Sequence, residues 1–417
     1  MRPDQALNVD DLRKMAKRRL PKILYDCIES GVEDERGIVR NERTFGEFRL
    51  LPRYGVDVSR REPGLELFGR RWGLPFGIAP TGFAGLFRHG ADGMLARAAA
   101  KADVPYVLSG ASVADIEAVV AEAPGHVWYH LYAAKDVRIT DDLVARAAAA
   151  GVGHLVVTVD NPVLPKRERD IRNGFALPLK LRPSILAEML THPAWILEYL
   201  RAGGLPTMGA WARYAPDPTD PAAVGAFFRT QSPSVQTWAD LERIRSRWPG
   251  RFLVKGIQHP DDARRAVGIG ADAVIVSNHG GKVFDPLPSP LETLPAVRAA
   301  LPRSVPVLLD SGVRRGTDLL IALALGADFV FVGRATLYGV VAGGQAGAER
   351  AIAILADEVD RALALVGCPR AADLDASLLL GGIGTGSRHA PPMPPAADVT
   401  SPARSPGDDP PLRSVGR

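Results

Sequence analysis

FLVKGIQHPDDARRAVGIGADAVIVSNHGG, residues 252–281, carries a strand, a helix and a second strand in immediate succession. Phe252 to Gly256 is a short apolar run, 260–269 mixes Asp and Arg with Ala and Val, and Ala273 to Asn278 is apolar and β-branched again. Strands that read as continuous apolar runs are buried on both faces, as in parallel sheets, and the helix between them is the crossover that parallel strands require. The second strand opens into Ser277-Asn278-His279-Gly280-Gly281. An imidazole at the C-terminal mouth of a parallel strand is well placed to take a proton at neutral pH.

The same unit recurs outward in both directions. Apolar runs stand at Leu74 to Pro80, Tyr106 to Ser109, Val127 to Tyr132, His154 to Asp160, Phe252 to Gly256, Ala273 to Asn278, Val305 to Asp310 and Phe329 to Gly333. Helical candidates follow at 91–103, 112–122, 140–151, 238–248, 260–269, 292–301, 317–325 and 345–366. Eight strands alternating with helices over about 260 residues predict an α/β fold, a closed (β/α)8 TIM barrel spanning 74–385. An open doubly wound sheet is the alternative, but no Gly-x-Gly-x-x-Gly follows the first strand. Three segments lie outside the repeat. Residues 1–73 are expected to cap the barrel with a helix at 10–29, residues 174–234 are an insertion after the fourth strand, and residues 386–417 read as a disordered tail with eight prolines and no aromatics.

Composition narrows the function. With 417 residues, 46% hydrophobic and 24% charged, the chain has the balance of an ordinary globular protein, and a net charge of +4 is slight. No concentrated basic face with aromatics points to nucleic acid, and the two cysteines, Cys27 and Cys368, make neither a disulfide framework nor a metal cluster. The N-terminus lacks an apolar signal core, and no apolar run reaches the roughly 20 residues that cross a bilayer. A cytoplasmic protein is expected. Between Lys166 and Arg213, a stretch that leads into and through much of the insertion, Lys166, Arg167, Arg169, Arg172, Lys180, Arg182, Arg201 and Arg213 outnumber four acids beside Leu, Ile and Trp. A lid over the barrel mouth is the preferred reading; peripheral contact with the inner face of an anionic membrane is the other.

In such a barrel the strand ends and following loops make the active site. Here they hold Pro80-Thr81-Gly82, Ser109, His130 and Tyr132, Thr158 and Asp160, Arg167, Lys255, and Ser277 with His279. The seventh and eighth strands end in Asp310-Ser311-Gly312-Val313-Arg314 and Gly333-Arg334. Glycines that let backbone N–H groups approach an anion, with arginines at helix starts, predict a phosphate site there.

Taken together, LPKILYD, GIAPTG, VTVDNPVLPKRERDIRNGF, VKGI, VSNHGG, LLDSGVRRGTD and FVGR resemble the FMN-dependent 2-hydroxy-acid dehydrogenases and oxidases, the family of glycolate oxidase, L-lactate dehydrogenase and mandelate dehydrogenase. The resemblance runs from about Leu20 to Cys368 and implies FMN as cofactor, a small-molecule substrate, oxygen or a quinone as electron acceptor, and a homotetramer. It implies that His279 is the catalytic base, that Asp160 stabilises its imidazolium, that Tyr132 and Arg167 meet the substrate oxygen and its developing charge, and that Lys255 stands beside the flavin. Pro80, Thr81, Gly82, Ser109, Thr158 and Ser277 would then hold the isoalloxazine and ribityl chain. Asp310, Gly312, Arg314, Gly333 and Arg334 would hold ribityl hydroxyls and phosphate.

Three positions depart from the family pattern. Lys282 stands where an arginine usually grips the substrate carboxylate, Cys27 where a tyrosine completes that clamp, and His130 where a glutamine contacts the flavin pyrimidine edge. Lysine is a compact point charge without the guanidinium fork, and histidine lacks the amide's paired donor and acceptor. The expected reaction is oxidation of a 2-hydroxy acid to the 2-oxo acid. The alternatives are a related oxidation of a hydroxy ester, amide or natural product without a free carboxylate, and a flavin-binding protein of low turnover.

Overall fold

Each of the eight apolar runs coincides with a strand, and the strands close on themselves in sequence order, all parallel. They are β1 (Phe76–Ile78), β2 (Tyr106–Ser109), β3 (Val127–Leu131), β4 (His154–Thr158), β5 (Arg251–Ile257), β6 (Ala273–Val276), β7 (Val307–Leu309) and β8 (Phe329–Val332), with β8 pairing β1. The computed structural model describes residues 2–175 and 183–382, and the expected disordered tail at 386–417, like Lys180 and Arg182, lies outside them. This is the (β/α)8 barrel, and its strands are buried nearly throughout because crossover helices cover the outside while side chains fill the inside.

Register decides what shares a layer. Ser109 pairs with His130 across β2 and β3, and Thr158 pairs with Lys255 across β4 and β5. The polar residues at the strand ends are thereby set side by side at one rim. The opposite end is closed by an antiparallel hairpin, Leu65–Leu67 with Arg70–Trp72. From it Trp72 meets Trp128 at 6.5 Å between ring centroids, and Phe68 meets Trp128 at 6.0 Å.

The element boundaries differ from expectation where local chemistry intervenes. The single helix expected at 10–29 is two, α1 (Val9–Arg19) and α2 (Lys22–Glu29), because Pro21 has no N–H to continue the ladder and restricts the residue before it. A third, α3 (Arg36–Arg43), follows. The last helix starts at Arg334, not at 345, and runs to Val366 with a break at Gly343 and Gly344. Its first part is buried all round, so it shows no amphipathic period to read.

The insertion folds into short helices that dock on the loops after β1, β2 and β3. Trp195 Nε1 donates to the Leu86 carbonyl at 3.3 Å, Tyr199 Oη to Gly85 at 2.7 Å and Trp211 Nε1 to Gly110 at 2.7 Å. Glu198 joins Arg19 of α1 to Arg88. The outer side of the same helices leaves Leu190 75% and Leu200 68% exposed.

Candidate active site

A pocket lined by the strand ends and the loops that follow them opens at the C-terminal rim of the barrel. At its centre is His279, held in the left-handed region at φ 57 as the chain turns out of β6. Gly280 and Gly281 follow at φ 68 and 77 and carry this turn without the Cβ clash that other residues would bring. The His279 N–H donates to Ser277 Oγ at 3.0 Å, and Gly280 N–H to Ser311 Oγ at 3.0 Å.

The imidazole lies between two oxygens, with Nδ1 2.9 Å from Asp160 Oδ1 and Nε2 2.9 Å from Tyr132 Oη. Burial by itself would raise the Asp160 carboxyl. The charge and hydrogen bond of His279, with Lys255 and the Thr158 hydroxyl at 2.7 Å, overturn that and hold it well below the usual carboxylate range. An ionised carboxylate only accepts, so Nδ1 carries a hydrogen toward Asp160, and whenever the ring is neutral Nε2 presents its lone pair to Tyr132 and the pocket. Burial and the nearby Asp160 push the Tyr132 phenol up, so it remains a donor. Gly256 makes room for this arrangement: at φ 98, a Cβ there would stand 2.6 Å from that of Asp160.

Lys255, 3% exposed, donates from Nζ to Ser277 Oγ at 2.9 Å and pairs with Asp310 Oδ2 at 3.2 Å. Ser109, His130, Thr158 and Ser277 lie just behind the pocket lining, each buried. His130 is 1% exposed, and both of its ring nitrogens are without a hydrogen-bond partner among the described residues. Burial, then Lys255 and His279, hold its pKa well below the ordinary value, so the ring is neutral. Thr81 Oγ1 and Arg334 Nη2 are likewise buried and unpartnered. Unmade hydrogen bonds of this kind are costly and mark where a ligand's polar atoms belong.

The loops after β7 and β8 line one side of the pocket. Gly312 at φ 87 lies over the Asn41 carbonyl, 2.3 Å from where a Cβ would be. Arg334 starts the last helix, spending Nε on the Ile28 carbonyl at 3.0 Å, and Arg314 pairs with Glu42 at 2.9 Å. Pro80, Gly82, Asp310 and Gly333 complete this wall.

Arg167, Cys27 and Lys282 also line the pocket. Lys282 Nζ donates to the Cys27 carbonyl at 2.8 Å, and Arg167 Nε approaches the Lys282 carbonyl at 3.4 Å. Burial pushes the Cys27 thiol up to about 12, so it stays neutral.

One residue of this constellation had no signal in the sequence. Asn41 of α3 forms a reciprocal amide pair with Asn278, at 2.8 and 2.7 Å, beside His279 and beneath Gly312. It stands in the N-terminal extension, where no strand or motif points to it, and only the fold brings it to both loops. Phe83, Phe87 and Leu337 also line the pocket and were not among the candidates.

Residues 16–380 match the family model described as FMN-dependent dehydrogenase. The chain is 40% identical to (S)-mandelate dehydrogenase of Pseudomonas putida over 363 residues, 87% of this chain and 91% of that one. It is 40% identical to a putative L-lactate dehydrogenase of Mycobacterium tuberculosis over 365 residues, 87% and 86% of the two chains. Among solved structures, the monotopic membrane protein (S)-mandelate dehydrogenase superposes with a TM-score of 0.87 at 39% identity, covering 90% of this chain and all of that one.

Proposed function

The chain belongs to the FMN-dependent dehydrogenase family, as an oxidoreductase acting on CH–OH groups, and we propose that its reaction is oxidation of a 2-hydroxy acid to the 2-oxo acid with His279 as base. The pocket suits FMN. The unpartnered atoms of His130 and Thr81 match the polar edge of a flavin, and Arg334 Nη2 beside Gly312 and Gly333 matches a phosphate. Bound FMN supplies the acceptor for the two electrons that leave the substrate.

The observation that carries the proposal is the Asp160–His279–Tyr132 line opening into the same pocket. Oxidation of a secondary alcohol to a ketone releases two electrons and two protons. His279 Nε2 takes up one of those protons, the other would leave with the electron pair to the bound acceptor, and Asp160, already ionised, offsets the charge that the ring acquires. Tyr132 Oη, 2.9 Å from the same nitrogen, orients the substrate oxygen at the point of transfer. Arg167 and Lys282 face the carboxylate end, and Lys255 supplies a fixed positive charge on the cofactor side.

Anaerobic mixing with a panel of 2-hydroxy acids, esters and amides tests this. Bleaching of the flavin by at least one hydroxy acid is expected; bleaching by none of them would overturn the assignment. A second reading, a substrate with an uncharged end, is favoured by one contact, the Lys282 ammonium turned onto the Cys27 carbonyl.

We further place the protein in the cytoplasm as a homotetramer that touches the inner face of the membrane and delivers its electrons to a quinone in preference to oxygen. Leu186, Leu190, Leu197 and Leu200 stand out on the insertion beside Arg201, and the solved (S)-mandelate dehydrogenase is a monotopic membrane protein. Among the described residues no helix is long and apolar enough to cross a membrane. Recovery of all activity in the soluble fraction, with reoxidation by oxygen as fast as by quinone, would count against this.

A further inference from the structure

Ser311 leaves β7 at φ 83, in the left-handed region that a residue with a Cβ enters only at a cost, and Gly312 continues at φ 87. Glycine would take up the same turn freely at both positions. What serine adds is a hydroxyl, which accepts from the Gly280 N–H at 3.0 Å and donates to Asp310 Oδ1 at 2.9 Å. Asp310 Oδ2 pairs with Lys255 Nζ at 3.2 Å, and Lys255 donates to Ser277 Oγ at 2.9 Å. That same Ser277 oxygen accepts the His279 N–H at 3.0 Å. The bonds therefore form a ring that begins and ends on the two peptide groups flanking the His279 Cα. Lys255, Ser277 and Asp310 are all buried, so these links face little competition from water.

We propose that Ser311 is a positioning residue for His279, held at an unfavourable φ so that its hydroxyl can fix the peptide that follows the base. The inference rests on the reading of His279 as the base. Ser277 fixes only the peptide before His279, which leaves the following one free to turn. With Ser311 bound to the next N–H, both backbone torsions of His279 are set. The direction in which its ring meets Asp160 and Tyr132 is set with them. His279 needs this support, since it is itself left-handed at φ 57 and is followed by two glycines that resist rotation least. The far side of the ring is the Lys255–Asp310 pair, so the base and the fixed positive charge are held as one unit.

Two substitutions separate this role from support of the fold. Ser311→Ala removes the hydroxyl and keeps the strain, whereas Ser311→Gly removes both. The glycine variant is therefore expected to have the higher Tm of the two. Flavin reduction at saturating hydroxy acid, in samples of equal FMN content, is nevertheless expected to slow about tenfold to a hundredfold in both, with half-saturation within about threefold of the unaltered enzyme. In a crystal structure of FMN-loaded Ser311→Gly, the imidazole should lose hydrogen-bond reach of Asp160 or Tyr132, or divide between two positions. Reduction of Ser311→Gly within about threefold of the unaltered rate, a loss in Ser311→Ala that glycine restores, or an unmoved imidazole would each overturn the proposal. If hydroxy acids fail to reduce even the unaltered enzyme, the proposed reaction falls, and the place of the imidazole in the crystal still decides the role of Ser311.

Discussion

Asp160→Asn isolates the electrostatic part of the proposed base. Asparagine keeps the volume that Gly256 accommodates and keeps an oxygen for the Nδ1–H, but removes the charge that the protonated ring would face at 2.9 Å. The Asp160 side chain is 7% exposed, so water does little to replace that charge. A hydrogen bond to a charged group contributes about 1.5–3 kcal/mol, and loss of one partner from a buried pair costs about 3–5 kcal/mol. A middle value of about 3 kcal/mol, felt only as the ring gains its proton, corresponds to a rate about 150-fold lower. The assay is anaerobic stopped-flow reduction of the bound flavin at saturating substrate, with FMN content measured on the same sample. Reduction within threefold of the unaltered enzyme at full FMN occupancy would refute the reasoning, because it would mean that the ring never carries the charge Asp160 is placed to offset.

Other consequences are open to measurement. His130→Leu removes two buried, unpartnered nitrogens, so the FMN-free protein should gain about 1–3 kcal/mol in denaturant unfolding while FMN binds up to roughly tenfold more weakly; unchanged FMN affinity would mean that the ring does not face the cofactor. Gly256→Ala places a Cβ 2.6 Å from that of Asp160 at φ 98 and should cost about 2–5 kcal/mol of stability, read as a lowered Tm. A Tm at the unaltered value would show that the β5 end yields freely. Leu190→Lys with Leu200→Lys should leave flavin reduction alone and abolish sedimentation with anionic vesicles; equal sedimentation would place the membrane contact elsewhere.

Much of the barrel was legible because a parallel strand buried on both faces must be apolar along its length, and eight such runs do not arise without a sheet to bury them. His279, Asp160, Lys255 and Arg334 were legible for the complementary reason: a polar residue at the end of an apolar strand has little structural use there. The first half of the last helix escaped notice, since a helix buried all round carries no period, and Pro21 was passed over inside an otherwise helical pattern.

Sequence alone determined which chemical groups the chain owns and which strand ends present them, because strand order and the period of burial are local properties of the chain. It also exposed Lys282, Cys27 and His130 as departures, since a motif read residue by residue shows its own exceptions. Only the tertiary structure decided what those groups are to one another. That His279 lies between Asp160 and Tyr132, that Asn41 ties the loops after β6 and β7 together, and that Lys282 rests on Cys27 all depend on closing a barrel and folding an extension over its rim. Hydrogen bonds and charges act across a few ångströms of space, and residues 119, 237 and 255 positions apart acquire that proximity only when the chain has folded.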